Sequence, residues 1–139
     1  MITNRDLAVL AESMGVRLVR HNGGPKGFYH HPSRTISTRR GLSVAQYKST
    51  LAHELGHAVN GDTPTTGHYH ARQERRADEY AARLLLDGAD VHTIITANGG
   101  HLAPAAYELE VTTHLLKVWL KQKRNDHDRI HPSAQRTSI

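Results

Sequence analysis

Five consecutive residues, His53-Glu54-Leu55-Gly56-His57, constrain this chain more than any other feature. Histidines four apart face the same way on an α-helix, one turn from each other, where they can share one cation. The flanking sequence supplies that helix. Ser43 with Gln46 three residues on is a capping-box pattern and Asn60-Gly61 is a stop, so a helix is predicted from about Ser43 to Val59. Leu51, Leu55 and Val59 read as its inward stripe. Glu54 stands beside the imidazoles, where a carboxylate can take a proton from an attacking water. Gly56 costs a helix about 1 kcal/mol relative to Ala, which a close backbone approach would justify.

Two imidazoles do not complete a zinc site; a catalytic one takes three protein ligands. Downstream candidates are His68, His70, Glu74, Asp78 and Glu79. A helix is predicted from about Ala71 to Leu86, closed by Asp87-Gly88. Its periodicity puts Glu74, Ala77, Asp78, Ala81, Leu84 and Leu85 on one inward face, and Glu79 with Arg75 and Arg83 in a solvated ion-pair row. Glu74 is therefore the expected third ligand. Asp78, one turn later, is expected to accept the free N–H of a ligating histidine. His68, Tyr69 and His70 are assigned to a loop. They are the nearest candidates for substrate or oxyanion contact, with the choice among them open.

The rest of the chain reads as α+β. Thr3 with Asp6 caps a first helix carrying Leu7, Leu10, Ala11 and Met14, which Gly15 stops. Val16–Arg20, Gly27–Tyr29 and Thr35–Thr38, separated by turn residues, read as a short three-stranded antiparallel sheet packed on a helical bundle. Thr35–Thr38 is taken as an outer strand whose edge could hold an extended peptide, with Arg34, Arg39 and Arg40 as a positive rim favouring acidic residues near the cut. Further helices are expected from about Asp90 to Ala97, near Pro104, and from Thr112 to about Arg124. Residues 1–124 form one domain on this reading, and the polar stretch 125–139 is expected to be a disordered tail.

Composition narrows the chemistry. The chain has 139 residues, 12 of them histidine and none cysteine, which excludes disulfides, thiolate metal ligands and a thiol nucleophile. Residues 1–53 hold eight Lys or Arg against two acids, residues 54–112 four against nine, and residues 113–139 six against two. Basic ends suit an acidic partner; the acidic, histidine-bearing middle suits a cation. No apolar run approaches a membrane span, and Met1–Gly15 carries charges where a signal peptide needs an apolar stretch, so a cytoplasmic location and no membrane partner are expected.

His53-Glu54-Leu55-Gly56-His57 followed by Glu74-x-x-Ala77-Asp78-x-Tyr80-Ala81-x-x-Leu84-Leu85 resembles the ImmA/IrrE family of zinc metallopeptidases. Tyr80 stands where that family usually has Phe. Asn60-Gly61-Asp62 stands where it often has another His, and Asp87-Gly88 where a Pro commonly follows the Leu pair. The resemblance covers roughly residues 5–120. It implies a small zincin-like domain with Zn2+ on His53, His57 and Glu74 and with Glu54 as the catalytic base. It also implies a protein substrate, a transcriptional repressor in phage or mobile-element immunity, inside a bacterial or phage-infected bacterial cell.

The segment from about 101 to 124, with Ala106, Leu109, Val111, Thr112, Leu116, Trp119 and Leu120, has a helix-turn-helix rhythm, and the family has a similar segment there. Lys117, Lys121, Lys123 and Arg124 would decorate its last helix. Phosphate contact is one reading and a solvated face the other; DNA contact is the weaker. Trp119 reads as core. A second functional class remains beside the peptidase: a non-catalytic regulator that binds DNA or a repressor around a structural zinc. A structural site would normally be closed by four protein ligands, and Glu54 would have no role in it.

Overall fold

The computed structural model describes residues 1–130, which form six helices and one three-stranded sheet. Helix α1 (Asn4–Ser13) begins at the expected capping box: the Asp6 N–H donates to Thr3 Oγ1 at 3.1 Å, and the Thr3 N–H to Asp6 Oδ2 at 2.9 Å. Leu7 and Ala11 are buried. Three strands follow, β1 (Arg17–His21), β2 (Gly27–His30) and β3 (Thr35–Arg39).

The sheet has the expected number of strands but a different order. β3 lies between β1 and β2, parallel to β1 and antiparallel to β2. It is therefore mixed rather than wholly antiparallel, and Thr35–Thr38 is its centre rather than its edge. The strand sequences give the reason. Thr35, Ile36, Ser37 and Thr38 are all buried and carry no charge, whereas β1 and β2 mix exposed with half-buried residues and carry Arg17, Arg20 and His30. The strand that tolerates cover on both sides takes the middle.

Helix α2 (Val44–Asn60) packs against β2, β3, α1 and α3. It opens with reciprocal Ser43–Gln46 bonds and closes at Gly61, whose φ of +64° suits a residue without Cβ. Leu51 and Leu55 are fully buried, but Val59 is 52% exposed. An i, i+4 row rotates by about 40° per step, so two steps beyond Leu51 the row has left the core. Helix α3 (Gly67–Leu86) begins at Gly67, earlier than expected, and places His68, Tyr69 and His70 in its first turn rather than in a loop.

Helices α4 (Val91–Ala97), α5 (Leu102–Glu108) and α6 (Thr113–Ile130) complete the bundle. The Leu115 N–H donates to Thr112 Oγ1 at 3.2 Å, as expected of a cap. The turn before α6 is tied to α2 by the Thr112 N–H on Ser49 Oγ (3.1 Å) and by the buried Lys48 ammonium on Glu110 (3.3 Å). Trp119 is buried against the core, its Nε1–H donating to Asp87 at 2.9 Å. α6 runs beyond Arg124 to Ile130, so residues 125–130 are helical; the remainder of the expected tail, 131–139, lies outside the described residues. No helix among the described residues is long and apolar enough to cross a membrane.

Candidate metal centre and its cleft

α2 and α3 form the most intimate helix pair, and Gly56 is the reason they can. A Cβ at Gly56 would stand 2.9 Å from Ala77 Cα and 3.0 Å from its carbonyl oxygen. The close approach is to the backbone of the facing helix. It brings Glu74, one turn before Ala77, across to the two histidines.

One donor atom each of His53, His57 and Glu74 gathers within 4.8 Å of the others. Glu74 spans the imidazoles, with Oε2 at 2.9 Å from His53 Nε2 and Oε1 at 3.1 Å from His57 Nε2. The outer nitrogens are committed elsewhere: His53 Nδ1 to Asp78 Oδ1 and His57 Nδ1 to Asp62 Oδ2, each at 2.8 Å. With Nδ1–H donated to those carboxylates, the neutral imidazoles turn both Nε2 lone pairs inward toward the carboxylate of Glu74. Three lone-pair donors so arranged are reconciled by a cation, and two imidazoles with one carboxylate are an ordinary donor set for zinc.

Electrostatics follow from the same contacts. Burial disfavours a charged His53, yet Asp78, Glu54 and Glu74 outweigh it and hold the imidazolium above its usual value. Glu54 is buried, and burial pushes its carboxyl above the ordinary glutamate range. Asp78 is partly desolvated, but bonds from His53 and His114 bring its carboxyl below the usual value. His114, on the first turn of α6, reaches the second Asp78 oxygen at 2.8 Å.

His53, Glu54 and Gly27 stand at the junction of two clefts, about 270 Å³ and about 450 Å³, which together form one groove with two wings. The first wing is lined by Phe28, Tyr29, Asp62, Thr63, Pro64, His70 and Gln73. Lys26, Thr50, Asp78, Thr112, His114 and Leu115 line the second. Of the three α3 residues offered for substrate contact, His70 lines the groove. His68 pairs with Arg72 at 3.2 Å, Tyr69 is 66% exposed, and neither lines it. Glu79 sits with Arg75 at 3.8 Å, away from the donors, while Arg83 turns to Asp126 at 3.6 Å.

Residues 11–121 match the family described as the IrrE N-terminal-like domain, Peptidase_M78. The chain belongs to this family. No curated protein matches it. Peptidase_M78 is a metallopeptidase family, and among the described residues of this member His53, His57 and Glu74 are the group that could hold the metal.

The sequence reading gives two side chains of this family member's site no role in it. Asp62 lies just past the Asn60-Gly61 stop, where Gly61 folds the chain back so that the Asp62 N–H meets the His57 carbonyl at 3.0 Å. An acid immediately after a helix stop, five residues from a ligand, is the signal that marks it. His114 carries no local signal. It is 36 residues from Asp78, and only the packing of α6 on α3 brings the two together.

Proposed function

We propose that the protein is a zinc-dependent endopeptidase that hydrolyses a peptide bond in a cytoplasmic protein. The observation that carries this reading is the junction itself: three converging donors with the buried Glu54 carboxyl beside them, opening on a groove with a wing to either side. His53, His57 and Glu74 would hold the ion. Zinc supplies Lewis acidity there, polarising the scissile carbonyl and acidifying water. Glu54 takes the proton of the water whose oxygen attacks the carbonyl carbon. The same carboxyl, kept basic enough by burial to hold that proton, then delivers it to the leaving nitrogen as the C–N bond breaks. Asp62 and Asp78 keep the imidazoles oriented throughout.

The edge that serves the groove is β2. The Arg39 N–H donates to the Lys26 carbonyl at 2.7 Å, which makes that pair hydrogen-bonded. Along an antiparallel ladder such pairs alternate, so Gly27 and Tyr29, opposite Thr38 and Ile36, turn their N–H and C=O groups to the open side. Gly27 has no side chain to block the way, since a Cβ there would meet Thr50 and stand 3.3 Å from Glu54 Cγ. An extended peptide paired antiparallel to β2 runs from the first wing across Glu54 into the second.

For the substrate we propose a transcriptional repressor of a phage or mobile element, which the resemblance to the ImmA/IrrE family supports. Co-expression with a candidate phage or mobile-element repressor, comparing wild type with Glu54→Gln, tests class and substrate together. A specific new fragment with wild type alone is expected, with zinc retained in both. Equal cleavage by Glu54→Gln, or none by the zinc-loaded wild type, overturns the reading and leaves a regulator whose zinc is structural.

A further inference from the structure

The two wings differ in charge. Among the described residues lining them, Lys26 is the sole Lys or Arg, and it sits in the second wing. No carboxylate among the described residues stands within ion-pair distance of its exposed ammonium. Across the same wing lies His114, fixed through Nε2 on Asp78 with Nδ1 facing away from that bond. The acids of the neighbourhood are already committed. Asp78 uses one oxygen on His53 and the other on His114, and Glu54 belongs to the junction. In the first wing Asp62 is held by His57 and by Arg76 at 3.6 Å. The arginines expected to form a positive rim are used up elsewhere. Arg34 donates to the Met14 carbonyl, Arg39 to the Gly24 carbonyl and Arg40 to Asn22.

We infer that the second wing is a subsite for a carboxylate on the C-terminal side of the scissile bond, recognised by Lys26 with His114 opposite. With the peptide antiparallel to β2, as proposed above, the polarity follows from the chain direction of β2, and this step rests on the peptidase reading. β2 runs from the second wing to the first, so an antiparallel peptide places the residues after the cut in the second wing, beside Lys26. The carboxylate can come from an Asp or Glu side chain or from the end of the substrate chain; both present the same charge to the same ammonium.

The test uses zinc-loaded full-length protein and a randomised peptide mixture in two forms, with free and with amidated C-termini. Sequencing the new N-termini reports the residues after each cut. Asp and Glu are expected to be enriched about fivefold at one of the first two positions in both forms, or short free-acid ends alone to be favoured if the terminus is the source. Lys26→Glu should abolish that preference and enrich Lys and Arg in its place. A second arm measures binding of a labelled peptide pair differing only by Glu against Gln after the intended cut. The Glu peptide should bind wild type about fivefold tighter, and Lys26→Glu should reverse the order. Equal binding of the pair, or an unchanged preference in Lys26→Glu, overturns the subsite. Absence of any cleavage by wild type while the Glu peptide still binds tighter overturns the peptidase reading and supports the subsite.

Discussion

Gly56 shows how one missing methyl group sets the site. Its Cα faces the backbone of Ala77, which cannot rotate aside as a flexible side chain would, so Gly56→Ala must push α2 and α3 apart. Overpacking of this kind costs about 1–3 kcal/mol, enough to outweigh the helix propensity that Ala restores. The expected outcome is a lower melting temperature in the metal-free protein together with weaker zinc binding, because Glu74 moves with α3. Melting and competition titration check the two halves separately. Asp62 and Asp78 act differently: each touches one imidazole and neither is a donor in the cluster. Alanine at either should weaken zinc about 10–100-fold without abolishing it. Unchanged affinity in a chelator competition would remove that residue from the site.

At the scale of elements, the sheet order decides what a proline does. Ser37 lies on the central strand, between Val19 and Phe28, so its N–H is used by one neighbour or the other. Ser37→Pro should destabilise the whole sheet by about 1–3 kcal/mol through the lost ladder hydrogen bond, visible as a drop in the denaturant midpoint, rather than selectively impair substrate binding. The selective lesion belongs on the substrate instead. N-methylating the peptide nitrogens that pair with Gly27 and Tyr29 should slow cleavage by about tenfold or more, whereas methylation at the alternate positions should not. Equal effects at both sets would mean that the peptide does not lie along β2. α6 contributes to this scale as well. It was legible as a helix from the Leu116 and Trp119 stripe, but its role in the groove comes from His114, which no periodicity marks.

For the molecule as a whole, metal and pH should act against each other. Without metal, the carboxylates around His53 raise its pKa, so its stabilising contribution is complete below its ordinary value of 6.5 and is lost as pH rises through the raised one. Glu54, raised by burial, shifts stability in the same direction from its lower range. Asp78, held low by His53 and His114, contributes fully above 3.8 and is lost only in strong acid. With zinc bound the imidazoles must be neutral, so protons compete with the ion and acid weakens the complex. The chelated protein should therefore melt lower at about pH 8 than at about pH 6, and the zinc-loaded protein the reverse. Parallel trends in a calorimetric comparison would contradict this account. At a fixed pH of about 7, adding chelator to zinc-loaded protein should lower the melting temperature.

The sequence by itself determined what depends on spacing along one element. Two imidazoles four apart, the capping boxes at Thr3 and Ser43, the stop at Gly61 and the inward Glu74–Asp78 pair are local facts of a 3.6-residue repeat, and each is where that repeat puts it. The uncharged Thr35–Thr38 segment suits the middle place, but only tertiary structure put it there, because strand order depends on what covers each face and not on one strand's pattern alone. It also decided that Asp62 folds back onto His57 and that His114 shares Asp78 with His53, contacts between residues whose separation in sequence carries no period. Lys26 belongs to that second group. Along the chain it is one basic residue among many, and only the packing of β2 over α2 gives its charge a groove to face.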